Sequence, residues 1–116
     1  MSLSEPDAAF LADRNLTFLF ARRPDGSPAG WPMTYSLTEG MLLVSVRGPG
    51  QAAAALRDDP RVYVIVEQSP SYYEIAYVGI EGSAERIQDT AGRLTFDLTP
   101  RAVTSASFAK LAEPAD

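Results

Sequence analysis

The chain has 116 residues, a formal net charge of -5 and neither cysteine nor histidine. These absences exclude disulfides, thiolate metal sites, the usual zinc sites, and Ser-His or Cys-His catalysis. The excess of acidic residues predicts a surface that on the whole repels phosphate backbones. We therefore expect no nucleic-acid partner, and an anionic ligand would need local positive charge.

Length and composition predict one globular domain over 1–116, with a frayed tail at 112–116. Hydrophobic residues make up 46% of the chain, but no apolar run approaches the roughly 20 residues that a membrane span needs. Residues 1–7 are polar and acidic, unlike a signal peptide. Together with the lack of cysteine, this pattern favours a cytoplasmic protein with no membrane partner.

The chain opens with a pattern typical of a helix start, in which Ser4 is the N-cap and Pro6 and Asp7 follow it. We expect this helix to end near Asn15. A strand at 16–22 comes next, followed by a strong turn at 23–26 and a second strand at about 27–37. Pro32 lacks an N–H, so the second strand lies on an edge or carries a bulge there.

The segment 41–67 is predicted to be a strand, a loop, a short helix and a strand. Apolar and β-branched residues favour the strands, whereas the alanine-rich run has high helix propensity. The strands are expected at 41–46 and 62–66 and the helix at 51–57.

The loop between this first strand and helix has the pattern of an anion site. Arg47 precedes Gly48-Pro49-Gly50, and the backbone N–H groups of Gly48, Gly50 and Gln51 would point outward together at the positive end of the helix dipole. The alternative is an ordinary surface connection with a solvated arginine.

Strand patterns continue to the end of the chain. We expect a turn at 68–71, a strand over 72–81, strand character again over 83–87, a turn at 88–92 and a last strand over 93–98. Glu81-Gly82 is interpreted as a bend or bulge, and Thr99-Pro100 as the end of the last strand. The segment 102–111 is either a strand end or a weak helix. Six to seven strands, many apolar on both faces, with two short helices predict a mainly β protein and a small barrel.

The order of these signals resembles the pyridoxamine 5'-phosphate oxidase-like family, the split β-barrel family of flavin- and deazaflavin-binding proteins. The likeness covers roughly Ser4 to Val103 and is more specific in combination than in any one piece. Its motifs are RPDGSP at 23–28, LVSVRG at 43–48, LRDDPRV at 56–62, VGIEGSAE at 78–85 and LTPRAV at 98–103.

The resemblance implies a homodimeric oxidoreductase that acts on a small molecule and binds FMN or a deazaflavin (coenzyme F-420) in a groove between two barrels. In such proteins a strand end, the next loop and a helix start hold the cofactor phosphate, and a neighbouring strand supports the ring system. The positions that match the phosphate site are Ser45, Val46, Arg47, Gly50 and Gln51, and those that match the ring site are Pro32, Met33 and Thr34. No catalytic side chain or metal ligand is assigned, because such cofactors carry the hydride transfer themselves.

Two departures from the family pattern leave a second interpretation open. The family's helix usually offers a Lys and an Asn on the phosphate side, and the matching positions are Ala52 and Ala55. Many members also carry a helix in the region between Glu85 and Arg93, which this chain lacks. The alternative is a cofactor-free or degenerate dimeric binding protein of the same fold.

Several large side chains have two possible roles. Trp31, Met33 and Tyr35 either form an apolar bed for a ring system or belong to the barrel core and dimer contacts. Three tyrosines in or near the later strands are more often packing residues than parts of a partner's groove; they are Tyr72, Tyr73 and Tyr77. Lys110 is expected to be a solvated residue at a mobile end.

Overall fold

A computed structural model describes residues 3–68 and 74–107. These residues form six strands and two short helices, which confirms the mainly β class and the split-barrel architecture. The elements in chain order are α1 (Glu5–Ala12), β1 (Leu16–Arg22), β2 (Pro28–Thr38), β3 (Met41–Arg47), α2 (Gln51–Asp58), β4 (Arg61–Gln68), β5 (Ala76–Thr90) and β6 (Arg93–Ser107).

The strands close into a barrel in the order β1-β2-β3-β6-β5-β4, with every neighbouring pair antiparallel. Closure pairs most backbone groups and removes the long free edges of an open sheet. The ladder between β2 and β3 is short, however, because it runs only from Thr38 to Tyr35 on β2. Beyond Tyr35, β2 pairs with β1 alone, and Pro32 lies opposite Phe18. This confirms the predicted edge position of Pro32.

The barrel interior is filled by alternate residues of each strand. On β1, for example, Leu19 is buried and Thr17 is buried with its hydroxyl donating to the carbonyl of Ile65 at 2.8 Å. That bond satisfies a polar group that would otherwise be costly to bury. Helix α2 adds Ala53 and Leu56 to the same core.

Helix α1 is held against the barrel at its C-terminal end. It begins as expected, since the Ser4 hydroxyl accepts from the N–H of Asp7 at 3.2 Å, but it ends at Ala12, before the expected Asn15. Its one fully buried residue is Leu11, whose carbonyl accepts from the Tyr35 hydroxyl at 2.6 Å. A core side chain of β2 therefore anchors the helix.

The last two strands are longer than expected. The turn predicted at 88–92 is limited to Ala91 and Gly92, which both have positive φ, 54° and 76°, as a two-residue hairpin turn requires. The prediction that Thr99-Pro100 ends the last strand is wrong, because β6 continues to Ser107. Pro100 is tolerated because it lies opposite Gly82, where the ladder shifts register. That shift confirms the bulge predicted at Glu81-Gly82.

Some predictions lie outside the described residues. These concern Tyr72, Tyr73, Lys110 and the tail 112–116. The strand expected over 72–81 is described from Ala76 onward. In the part of the chain that the structure describes, no helix has the length and apolar character needed to cross a bilayer.

The bond between Tyr35 and Leu11 generates a stability prediction. Tyr35→Phe removes the hydroxyl, but the carbonyl of Leu11 still accepts from the backbone N–H of Arg14 at 3.2 Å. We therefore expect a loss of about 0.5 to 1.5 kcal/mol in the free energy of unfolding, the net worth of one hydrogen bond. Urea denaturation at pH 7 measures it. A loss within experimental error would mean that α1 is not anchored by this bond.

The same variant tests a pH dependence. Burial raises the pKa of Tyr35 to about 12, although the positive charge of Arg14 opposes the rise. An unfolded tyrosine titrates near pH ~10, so the folded state holds this proton more tightly. Stability should therefore fall as pH rises from about 10 towards about 12. Tyr35→Phe should lack that component of the slope.

Candidate functional site

A groove of about 570 Å³ opens where β2 and β3 separate. Its volume lies within the range typical of small-molecule sites, and the other cavities described range from about 210 to about 310 Å³. The groove is lined by Trp31, Pro32, Met33, Thr34, Ser45, Val46, Arg47, Gly50, Gln51, Ala52 and Arg93.

The structure brings together all the positions assigned from the family resemblance. Pro32, Met33 and Thr34 line one wall, and the five residues at the end of β3 and the start of α2 line the other. Whether they bind a cofactor stays a prediction. These residues line one groove because β2 and β3 separate beyond Tyr35.

The β2 wall supplies an apolar surface. Trp31 and Met33 are half-buried and pack against the core, whereas Pro32 and Thr34 are exposed. Tyr35, the third candidate for a ring bed, is buried and does not line the groove. The bed is therefore limited to Trp31 and Met33, with Pro32 at its edge.

The β3 wall alternates between core and groove. Val46 is buried, so it presents mainly its backbone, while Ser45 is half-buried and Arg47 is exposed on the opposite face of the strand. Neither an Asp nor a Glu is among the lining residues. In a chain of net charge -5, this end of the groove is locally positive.

The prediction that three loop N–H groups are available to an anion is wrong at two of its three positions. The N–H of Gly48 donates to the carbonyl of Gly92 at 2.7 Å, and the N–H of Gly50 donates to the carbonyl of Arg47 at 3.0 Å. These bonds fix the loop, so neither amide is available to a ligand. Gln51 is the first residue of α2, where an N–H has no intrahelical partner. Only that part of the amide prediction stands.

One lining residue was missed by the sequence interpretation. Arg93 begins β6 and lies directly opposite Arg47 in the β3–β6 ladder. Its Nε donates to the Ser45 hydroxyl at 3.0 Å, and its Nη2 donates to the Ser45 carbonyl at 2.9 Å. The alternation in RLTFDL predicted the strand that Arg93 begins, but not its place beside Arg47, because pairing between distant strands leaves no local signal.

Tyr77 lies away from the groove. It is half-buried and lines a smaller cavity with Phe10 of α1. For this tyrosine the structure favours packing within the chain.

One family profile matches almost the whole chain. Residues 3–112 match the sequence profile described as pyridoxamine 5'-phosphate oxidase. The chain belongs to this family.

Solved structures share the fold at low sequence identity. A conserved hypothetical protein from Mycobacterium tuberculosis has a TM-score of 0.84 and 22% identity, over 100% of this chain and 92% of that one. An F-420 reductase has a TM-score of 0.74 and 18% identity, over 88% of this chain and 98% of that one. A FAD-binding protein from Mesorhizobium loti has a TM-score of 0.74 and 18% identity, over 90% and 95%.

Among curated proteins, a probable tRNA sulfurtransferase from Aeropyrum pernix is 43% identical over 54 residues. That stretch is 47% of this chain and 13% of the sulfurtransferase. The match is thus confined to a small part of a much longer protein, and it carries no argument about activity.

The two alanines that depart from the family pattern lie in different surroundings. Ala52 is half-buried and lines the groove, but Ala55 is 0% exposed and does not. The interpretation of both as phosphate-side positions is therefore corrected: position 52 faces the groove, whereas position 55 faces protein. A family-like Lys has room at 52, while an Asn at 55 would be forced into the packed interior.

This difference predicts unequal effects of one substitution on the same helix. Ala55→Asn should lower the free energy of unfolding by at least about 2 kcal/mol, because it overfills a packed site and buries an amide. Ala52→Asn is the matched control and should cost less than about 1 kcal/mol, mainly as lost helix propensity. Chemical denaturation of both variants checks this. Equal losses would show that Ala55 is not packed as described.

Proposed function

We propose that this protein is an oxidoreductase that binds FMN or a deazaflavin in the groove between β2 and β3 and acts on a small organic molecule. The observation that carries the proposal is the composition of the groove. It joins an apolar wall of Trp31 and Met33 to an end containing Arg47, without a carboxylate among its described lining residues. A flavin-type cofactor has the complementary form, a flat ring system attached to an anionic side chain.

The groove residues suit the work that such a cofactor leaves to the protein. When bound, the cofactor supplies the hydride transfer chemistry. Trp31 and Met33 offer a half-buried apolar surface that excludes water from one face of a ring, and Arg47 offers a charge-assisted contact to an anion. No histidine or cysteine is needed for these tasks.

The structural neighbours support the general type of cofactor. One of them is an F-420 reductase and another is a FAD-binding protein. Their identity to this chain is too low to carry more than the fold. FMN and a deazaflavin thus remain the two cofactors to test, and the cytoplasmic location also remains part of the proposal.

A homodimer belongs to the same proposal. The outward side chains of β1 and β4 form an outer apolar face, defined as Leu16, Phe18, Phe20, Tyr63 and Ile65. The first three are 66%, 46% and 43% exposed, and the rings of Phe20 and Tyr63 are 6.3 Å apart. A contiguous exposed apolar surface of this kind is typical of an interface.

This outer apolar face is continuous with the groove. Pro32 lines the groove and also lines a cavity beside Leu16, Phe18 and Ile65. A second copy of the chain on this face would thus approach the apolar wall of the groove. The dimer would then help to enclose a bound ring system.

The competing proposal is a dimeric binding protein without a cofactor. It is favoured by one observation, the alanine at position 52, where the family usually has a cation. The two proposals differ in the colour of the purified protein and in its absorbance after each cofactor is added. A colourless protein that gives no binding heat with FMN or a deazaflavin would support the binding protein and exclude the oxidoreductase.

Replacement of Arg47 tests the anion end. Arg47→Ala should weaken cofactor binding by about 1.5 to 3 kcal/mol, the range for a hydrogen bond to a charged group. Arg101→Ala, an exposed arginine of β6 that does not line the groove, is the control and should bind as the wild type does. Fluorescence quenching titrations measure both. Unchanged affinity in Arg47→Ala would leave Arg47 as a surface residue.

The dimer is tested by a charge on the outer apolar face. We expect the wild type to have a dimeric mass in light scattering at micromolar concentration, with an interface of more than about 2,000 Å². Phe18→Arg should give a monomer, because it buries an unpaired charge. Met41→Arg changes another exposed apolar residue, at the start of β3, and should remain a dimer. A monomeric wild type would contradict the proposal.

A further inference from the structure

We infer that Arg93 is a second anion-binding residue of the groove, and that with Arg47 it selects ligands ending in a phosphate dianion. The inference rests on the proposed function, which supplies the class of ligand. It adds the charge that the ligand carries at this end of the groove. It concerns a residue outside the segments that the family resemblance assigned to the phosphate.

The short β5–β6 hairpin determines where Arg93 lies. Its two-residue turn ends at Gly92, so β6 begins at once with Arg93. The carbonyl of Gly92 accepts from the N–H of Gly48 at 2.7 Å, which ties the hairpin to the loop that follows Arg47. Many family members have a helix in the connection between these two strands, whereas this chain has a two-residue turn. The short turn thus brings an arginine to the anion end of the groove.

The contacts of Arg93 position its guanidinium without neutralising it. Its two hydrogen bonds go to the hydroxyl and the carbonyl of Ser45, which are uncharged acceptors. A guanidinium has further N–H donors beyond the two used here. By contrast, Arg61 is paired with the carboxylate of Asp59 at 2.7 Å. Among the described residues, the structure gives Arg93 no such carboxylate.

Arg93 and Arg47 form a like-charged pair across the ladder. Residues directly opposite each other in an antiparallel ladder have side chains on the same face, and like charges there are destabilising. An anion that contacts both guanidiniums removes this repulsion. A terminal phosphate carries a charge of about -1.5 to -2 near pH 7, which matches two arginines better than the single charge of a phosphodiester.

Arg93 would therefore replace the cation that the family's helix usually supplies. Ala52 and Arg93 both line the groove, so a cation from either position can reach the same end. This accounts for an alanine at position 52 without loss of the site. It also predicts that the two positions are interchangeable.

The first experiment compares FMN with riboflavin, which has the same ring system but no phosphate. Arg93→Gln should weaken FMN binding about tenfold to hundredfold, the range for a contact to a charged group, and leave riboflavin binding unchanged. Arg86→Gln alters an exposed arginine of the same hairpin outside the groove and should change neither affinity. Unchanged riboflavin binding also shows that the Arg93→Gln protein is folded.

The second experiment is a rescue. Ala52→Lys in the Arg93→Gln background should recover at least tenfold in FMN affinity, because it restores a cation at the same end. In addition, the preference of the wild type for FMN over riboflavin should fall as pH drops through about 6, where the phosphate takes up a proton, and Arg93→Gln should show a smaller fall. A purely structural role for Arg93 would give neither the rescue nor the difference in pH profile.

The outcomes separate this inference from the proposed function. If the wild type binds FMN and Arg93→Gln binds it within twofold of the wild type, the inference is overturned and the proposed function stands. If the wild type binds no flavin or deazaflavin, the proposed function fails, and inorganic phosphate titrated against 15N-labelled protein decides the inference. A saturable shift of the Arg93 Nε–H signal supports it, and no shift overturns it.

Discussion

The end of the β2–β3 ladder at Tyr35 is the constraint on which the rest of the structure depends. At this residue the side chain turns into the core and its hydroxyl anchors α1 through Leu11, while its N–H donates to the carbonyl of Asn15. Beyond it β2 is paired with β1 alone. Pro32, which has no N–H, suits an unpaired strand edge. The opening that results is the groove. Tyr35 therefore packs in the core and also marks the point where the β2–β3 ladder ends and the groove begins.

The groove also has an electrostatic character that the whole chain does not share. Acidic residues outnumber basic ones by 15 to 10, yet Arg47 and Arg93 line the groove and no acidic side chain is among its described lining residues. An acidic surface elsewhere repels non-specific polyanions, and a local positive end still admits a small anion. The two features together are consistent with the small phosphorylated ligand proposed above.

Strand β1 links the two proposed roles of the molecule through the alternation of its side chains. Its inward residues, such as Leu19, fill the core, and its outward residues, such as Phe18, are apolar as well. A contiguous apolar outer face of this kind is typical of an interface. The inner face is covered by the barrel itself. In the proposed dimer a second copy would cover the outer face and approach the groove at Pro32, which would couple assembly to the site.

The sequence by itself determined the elements whose signals are local. The bounds of β1, the N-cap at Ser4, the start of α2 at Gln51 and the bulge at Glu81-Gly82 agree with the structure, because turn residues, caps and alternation act within a few positions. The family resemblance likewise selected residues that all line one groove of the structure, although it expected a groove between two barrels.

Tertiary structure alone decided the features that depend on pairing between distant segments. Pro100 continues β6 because of its partner across the ladder, Gly82, and Ala55 is buried because of what packs against α2. The loop amides are used within the protein because the hairpin at Gly92 reaches Gly48. Arg93 faces Arg47 for the same reason: the β3–β6 register joins residues far apart in the chain, and no local pattern encodes that register.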